Sequence, residues 1–250
     1  MIDQQIPSDI IVRRYASDNK LQKPEKTLIS SLSEKIKDLK MLDIGVGGGR
    51  TTFHFSHLVK EYKAIDYSDK MIRACRGRFP AICDVFMTMD VRKMSLFDKE
   101  SFDLILFSFN SIDYIFSEEE RLEALNEIKR IGKKGGVFFF SSHNLQADTL
   151  NQLSFSLNPL KIIEDVLKFI YLRIANKNLR QKKENEYALL YDGGHLFTLK
   201  NFYIKPSFQI QQLVKLGFTN VKMFSIVDGK EITIKPELVK DPWVYYFCNF

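Results

Sequence analysis

Cysteine is scarce in this chain: Cys75, Cys83 and Cys248 are the only three in 250 residues. An odd number at wide spacing excludes a disulfide framework and a cysteine-based zinc site, and fits incidental thiols in a reducing cytoplasm. Histidine is nearly as sparse. His54 and His57 sit three apart on one expected helix with no further ligand beside them, so no metal is expected. No apolar run reaches the ~18 residues that cross a bilayer. Met1 to Gln5 lacks the charged-then-apolar layout of a secretory leader, so a cytoplasmic location is expected. Repeats, low-complexity tracts and Pro/Gly/Ser linkers are also missing, which points to a single domain over 1–250. The net charge is +6, yet no long basic run or RNA-binding module accompanies it, which argues against nucleic acid as a partner. A small, anionic molecule is the sharper expectation from that charge.

What the chain does have is apolar mass and a glycine turn. Hydrophobic residues make up 45%, with 21 phenylalanines, enough for the large core of one α/β sheet. The stretch 41–52 runs from an apolar strand (Met41, Leu42, Ile44) carrying Asp43 into a turn with Gly45, Gly47 and Gly49. A helix follows from Thr51. Glycine permits positive φ and lets a ligand press on the backbone, and the free N–H groups of such a turn suit a nucleotide-like molecule. A dinucleotide fingerprint wants Gly or Ala where Arg50 stands, which disfavours a nicotinamide oxidoreductase.

Four more strands read in sequence. Tyr62 to Asp66 ends in an acid about 20 residues beyond the turn, where a ribose diol is held in nucleotide-binding α/β folds. Ser68 and Asp69 can cap the next helix and leave Asp66 for a ligand. Asp84 to Asp90 is a third strand with Val91 at its exit. The apolar run Leu104 to Phe107 fits a strand covered on both faces, with Ser108, Asn110, Ser111, Asp113 and Tyr114 beyond it. Gly135 to Asn144 is the fifth, after a helix over 118–131.

The pattern Asp43-x-Gly45-x-Gly47-x-Gly49 resembles the first motif of the class I S-adenosylmethionine-dependent methyltransferases. The resemblance implies a doubly wound, mostly parallel seven-stranded sheet, with an antiparallel edge hairpin from 218–226 and 243–250. It implies S-adenosyl-L-methionine as cofactor. Asp43, Gly45, Gly47 and Gly49 would cradle it, Asp66 with Tyr67 would hold the ribose, and Asp90 with Val91 would hold the adenine. Ser108 and Tyr15, the latter on a helix within an N-terminal cap over 1–35, complete the cofactor set. The proline-containing motif of base-amine methyltransferases is absent after Ser108, which lowers a nucleobase-amine substrate.

The segment 145–205 lies outside that common core and is expected to form a substrate lid. It holds an apolar helical stretch over 159–174, a charged stretch over 176–186, and a hairpin of 187–191 with 195–198 around Asp192, Gly193 and Gly194. Pro206 then suits the first turn of a helix. His195 in this insertion and His143 at the fifth strand's exit are the candidate bases. Asn110, Tyr114 and Asn144 are candidate substrate contacts. The expected reaction moves a methyl group to a hydroxyl or amine of a small, anionic or sugar-linked substrate. Two alternatives stay open: a non-catalytic methyltransferase-like partner subunit, and a lipid or quinone methyltransferase in peripheral contact with a membrane surface. The sequence sets no oligomeric state.

Overall fold

The computed structural model describes residues 8–148, 159–192 and 199–250. Seven strands form the expected core: β1 (Lys40–Ile44), β2 (Glu61–Asp66), β3 (Phe86–Thr88), β4 (Phe102–Phe107), β5 (Gly132–Asn144) and, later, β8 (Thr219–Ser225) and β10 (Trp243–Asn249). Three further ones, β6 (Tyr187–Tyr191), β7 (Lys200–Ile204) and β9 (Glu231–Ile232), bring the sheet to ten. The order is β3-β2-β1-β4-β5-β10-β8-β9, parallel from β3 to β5 and antiparallel from β5 to β8. Chain direction across the sheet therefore switches between β1 and β4, and the crevice at their carboxyl ends is where such sheets bind ligands.

Both faces of the sheet are dry. Leu42, Ile44, Ile105, Phe107, Phe138 and Phe140 point to one core, and Met41, Leu104, Leu106 and Phe139 to the other. That two-sided burial is why these strands read as continuous apolar runs. Helices α5 (Glu118–Ile131) and α8 (Pro206–Lys215) cover the first face. On the second lie α2 (Lys23–Leu32), the short α3 (Thr52–Phe55) and α4 (Asp69–Arg78). Ser117 caps α5 by accepting from the Glu120 N–H at 3.1 Å, and Glu118 to Glu120 suit the positive end of its dipole. At the N-terminus, α1 (Asp9–Ser17) lies ahead of α2, and α1 packs near α4.

The insertion departs from expectation. Its hairpin is β6 with β7, antiparallel, with Tyr191 opposite Lys200 and Tyr187 opposite Ile204. The return strand expected over 195–198, with Gly193, Gly194 and His195, lies outside the described residues. β7 also pairs in parallel with the end of β5, His143 opposite Tyr203. The hairpin is thus stitched to the sheet by backbone bonds as well as by side chains. Helices α6 (Pro159–Ala175) and α7 (Leu179–Lys182) complete the insertion. Among the described residues, no helix is long and apolar enough to cross a membrane.

Candidate functional site

A cleft opens at the carboxyl ends of β1, β2 and β4. Its floor is the glycine turn. Gly45 and Gly47 take φ of +65° and +56°, and both line the cleft. A Cβ on Gly45 would stand 2.7 Å from the Ser111 Cβ, and one on Gly47 would stand 3.3 Å from the Tyr15 ring. The turn is therefore both conformationally and sterically reserved for glycine. At Gly48 the backbone of α1 leans directly on the turn, since a Cβ there would meet Ala16 N at 2.3 Å.

Asp66 ends β2 facing the cleft. Its Oδ2 accepts the Gly47 N–H at 2.9 Å and its Oδ1 accepts the Ser68 N–H at 2.8 Å, so the acid sets the turn's shape while its remaining lone pairs face the cavity. Ser68 caps α4 by accepting from the Met71 N–H, which leaves Asp66 clear of capping duty. Burial pushes the Asp66 carboxyl up to about 6 against those two N–H bonds. Tyr67, pushed up to about 12 by burial, lies beside it on the cleft wall.

Asp90 and Val91 also line the cleft, with Ile65, Met89, Ile115 and Phe116 forming an apolar slot. Arg92 bonds Asp90 through Nε at 2.9 and 3.0 Å and then reaches Glu120 at 2.7 Å. Burial would raise Asp90, but the Arg92 bonds outweigh it and hold the acid below its usual range. An adenine amino group would thus meet an ion pair here. A glycine cradle that a Cβ would obstruct, a buried acid open to it and a flat apolar slot together fit the adenosyl half of the expected cofactor.

Four of the expected ligand residues have partners within the scaffold. Asp43 is buried and accepts from Thr51 at 2.5 Å and Tyr62 at 2.6 Å, and burial pushes it up to about 6. Gly49 is needed for packing: a Cβ there would lie 2.5 Å from the Phe79 ring. Ser108 donates to Glu25 and lies 3.0 Å from the Tyr245 hydroxyl, away from the cleft. Asn144 is buried and donates to the carbonyls of Val239 at 2.9 Å and Asp241 at 3.0 Å, while its Oδ1 accepts from Gln146 N at 2.8 Å. These bonds make Asn144 the anchor of a loop.

Glu25 was silent in the sequence. It is fully buried on α2 and grips Arg50 through both oxygens, at 2.6 and 2.7 Å. Burial would lower Arg50, but the bonds and charge of Glu25 outweigh it and hold the guanidinium well above its ordinary range. The arginine that spoils a dinucleotide fingerprint therefore ties the N-terminal cap to the glycine turn.

At the inner end of the cleft Tyr114 bonds Tyr15, and burial with that bond raises the Tyr114 phenol far above its ordinary value. Behind them stands a pairing the sequence did not disclose. His143 Nδ1 donates to Asp113 Oδ2 at 2.8 Å, and Asp113 Oδ1 accepts from Arg121 at 2.9 Å and Ser142 at 2.6 Å. Asp113 and Arg121 are both fully buried. The Asp113 carboxylate accepts, so the proton sits on Nδ1 and Nε2 accepts from the Asn110 side-chain amide. Asn110 Nδ2 lies 3.2 Å from Nε2 and Asp192 Oδ2 lies 3.7 Å from it. His143, Asp113 and Asn110 do not themselves line the cleft; Ser111 and Tyr114, on the same turn as Asn110 and Asp113, do. Asn110 Oδ1, Asn201 Oδ1 and Trp243 Nε1 are buried there without a hydrogen-bond partner. His143 stacks on Tyr203 at 4.7 Å and meets Trp243 edge-on at 6.2 Å. His195 lies outside the described residues, so the histidine placed here is His143 alone.

Comparison with known proteins agrees with this geometry. Residues 42–140 match the family model described as a methyltransferase domain. YqeM of Bacillus subtilis, provisionally named a methyltransferase, is 24% identical over 120 residues, 48% of this chain and 47% of that protein. The malonyl-[acyl-carrier protein] O-methyltransferase of Erwinia billingiae is 28% identical over 193 residues, 77% of this chain and 64% of that one. The chain thus spans between about half and two thirds of these curated relatives. The crystal structure of an S-adenosylmethionine-dependent methyltransferase from Clostridium acetobutylicum shares the fold with a TM-score of 0.61 at 16% identity, covering 95% of this chain and 94% of the other.

Proposed function

We propose that this chain is a class I S-adenosylmethionine-dependent methyltransferase, a reading supported by the methyltransferase-domain match over residues 42–140, and that it methylates a hydroxyl group of a small acceptor with His143 as the base. The pairing of His143 with Asp113 behind the cleft is the observation that carries the choice of a hydroxyl. A hydroxyl must lose its proton as the methyl group arrives, and a neutral imidazole oriented by a carboxylate is suited to take it.

When bound, S-adenosyl-L-methionine supplies an electrophilic sulfonium methyl group. The chain's own residues do the rest by position. Asp66 accepts from the ribose hydroxyls, and Gly45 and Gly47 admit the ligand to the backbone. Tyr15 and Tyr114 close the inner end. His143 Nε2, on giving up its bond from Asn110, receives the acceptor's proton, Asp113 holds the imidazole in the productive tautomer and steadies its positive charge, and Arg121 fixes the Asp113 carboxylate in place. Asn110 and Trp243 offer polar atoms left unpartnered in the free protein.

Electrostatics narrow the acceptor. Arg92 is the one cation among the described cleft-lining residues, and it is paired with both Asp90 and Glu120. Asp192 stands beside His143. Both facts favour a neutral hydroxyl over an anionic acceptor. The test is transfer of labelled methyl groups from S-adenosyl-L-methionine to matched alcohol, amine and carboxylate acceptors. Preference for the carboxylate or amine members would overturn this reading.

A further inference from the structure

We propose that α6 is a docking helix that seats the protein on the surface of an anionic lipid bilayer. This goes beyond methyl transfer and does not depend on it. Fifteen large hydrophobic side chains are exposed among the described residues, and seven of them lie on this one helix. Ile163, Leu167, Ile170 and Ile174 recur at intervals of four, three and four, which lines them up along one side. Ile162, Val166 and Tyr171 widen the stripe, and Ile163, Leu167 and Ile174 are 58–62% exposed.

The side turned toward the protein is less apolar. Asp165, Phe169 and Leu172 are half-buried, and Asn176, just past the helix, is buried and bonds Tyr191 in both directions at 2.7 and 2.9 Å. A helix that tucks away a carboxylate while presenting a row of aliphatic side chains has the reverse of the polarity that water selects. Something apolar must cover the stripe.

Charge identifies it. Residues 159–186 hold seven Lys and Arg against four acids, so three of the chain's net six positive charges fall on this segment. Arg173 lies over the Phe169 ring at 4.9 Å, at the border of the stripe. An apolar stripe bordered by cations matches acyl chains beneath anionic headgroups. A second copy of the chain would instead set this positive segment against itself. Asn176 and Tyr191 tie the docked helix to the hairpin that carries Asp192 toward the cleft.

The test is flotation of the full chain with vesicles of phosphatidylcholine alone and of phosphatidylcholine mixed with phosphatidylglycerol. The expected result is binding to the mixed vesicles at low salt, little binding to the neutral ones, and release as salt rises. Ile163→Asp with Leu167→Asp is expected to cut partitioning by about tenfold or more, with the thermal midpoint unchanged because both side chains face outward. Lys177→Gln with Arg180→Gln leaves the stripe intact and is expected to cost about fivefold per charge on anionic vesicles only. Absence of binding to anionic vesicles at low salt, or equal binding by the aspartate variant, would overturn the proposal. A concentration-dependent dimer that the aspartate variant dissolves would also overturn it, by giving the stripe to a second copy.

Discussion

His143 is fixed to Asp113 twice over: its ring Nδ1 donates at 2.8 Å and its backbone N–H at 2.7 Å, both to the same carboxylate oxygen. Asp113 is itself clamped by the buried Arg121 and by Ser142, so the ring's orientation is set by the core and not by the solvent. A base held this way should be dispensable for folding and for cofactor binding, and needed for turnover. His143→Gln is expected to lower the methylation rate by about 10²–10⁴-fold. Calorimetric affinity for S-adenosyl-L-methionine should stay as in the parent. A variant with near-parental turnover would remove His143 from the mechanism.

The glycine turn gives a second expectation. Gly47 has φ +56° and its missing Cβ faces Tyr15 at 3.3 Å. Valine there is strained by its backbone and by its neighbour. Gly47→Val should abolish cofactor binding while circular dichroism still shows a folded protein. Binding retained by the folded variant would show that the ligand lies elsewhere.

Asp66 gives the cleft a pH dependence with a definite sign. Burial raises its pKa to about 6, and hydroxyl donors from a ribose favour the ionised form. Binding therefore expels a proton near pH 6. Affinity should be level above neutrality and should fall by up to about tenfold per pH unit as the pH drops below the free-state pKa. Asp66→Asn should flatten that profile, and Asp66→Ala should cost about 1.5–3 kcal/mol of binding at pH 7.5. An unchanged profile in Asp66→Asn would assign the titration to another group.

The buried pair of Glu25 and Arg50 predicts an effect on stability alone. Removing one member leaves the other charge stranded, which costs about 3–5 kcal/mol in comparable sites. Glu25→Gln should thus lower the thermal midpoint by roughly 10 °C for a chain of this size. Adding Arg50→Met should recover part of that loss, because the stranded guanidinium is gone. Calorimetric scans of the three variants decide it; a double variant less stable than Glu25→Gln alone would show that the arginine has a role besides this pair.

The sheet was largely readable because its signals are local. An apolar strand running into a glycine turn, or ending in an acid, is written in adjacent residues, which is why the position of Asp66 at the end of β2 and of Ser68 as the cap of α4 could be read. The partners that decide a side chain's role are not local. Glu25 lies 25 residues from Arg50 and 83 from Ser108, so nothing beside Ser108 announces that its hydroxyl is already committed. Asp43 and Asn144 look like ligands because polar residues at strand ends commonly are, yet buried donors and carbonyls claim them first. Asp113 was visible only as one polar residue among several after β4. Its importance comes from Arg121 and His143, and a charged residue expected on the inner face of the amphipathic helix α5 was the available clue. The strand β7 was missed because four of its five residues are buried, which leaves no alternating pattern, and because its pairing with β5 joins residues far apart in sequence.

The backbone of α1 rests on Gly48, and its Tyr15 ring overhangs Gly47. That helix buries none of its own residues, whereas α2 behind it is bolted down through Glu25. The two therefore differ in how readily they open. A ligand held beneath Tyr15 has α1 as its movable wall and α2 as its fixed one, and its release is expected to follow the opening of that short helix. Val12→Gly, which loosens α1 without touching the cleft, should accelerate release of S-adenosylhomocysteine in stopped-flow measurements. An unchanged release rate would mean that the exit lies on another side of the cleft.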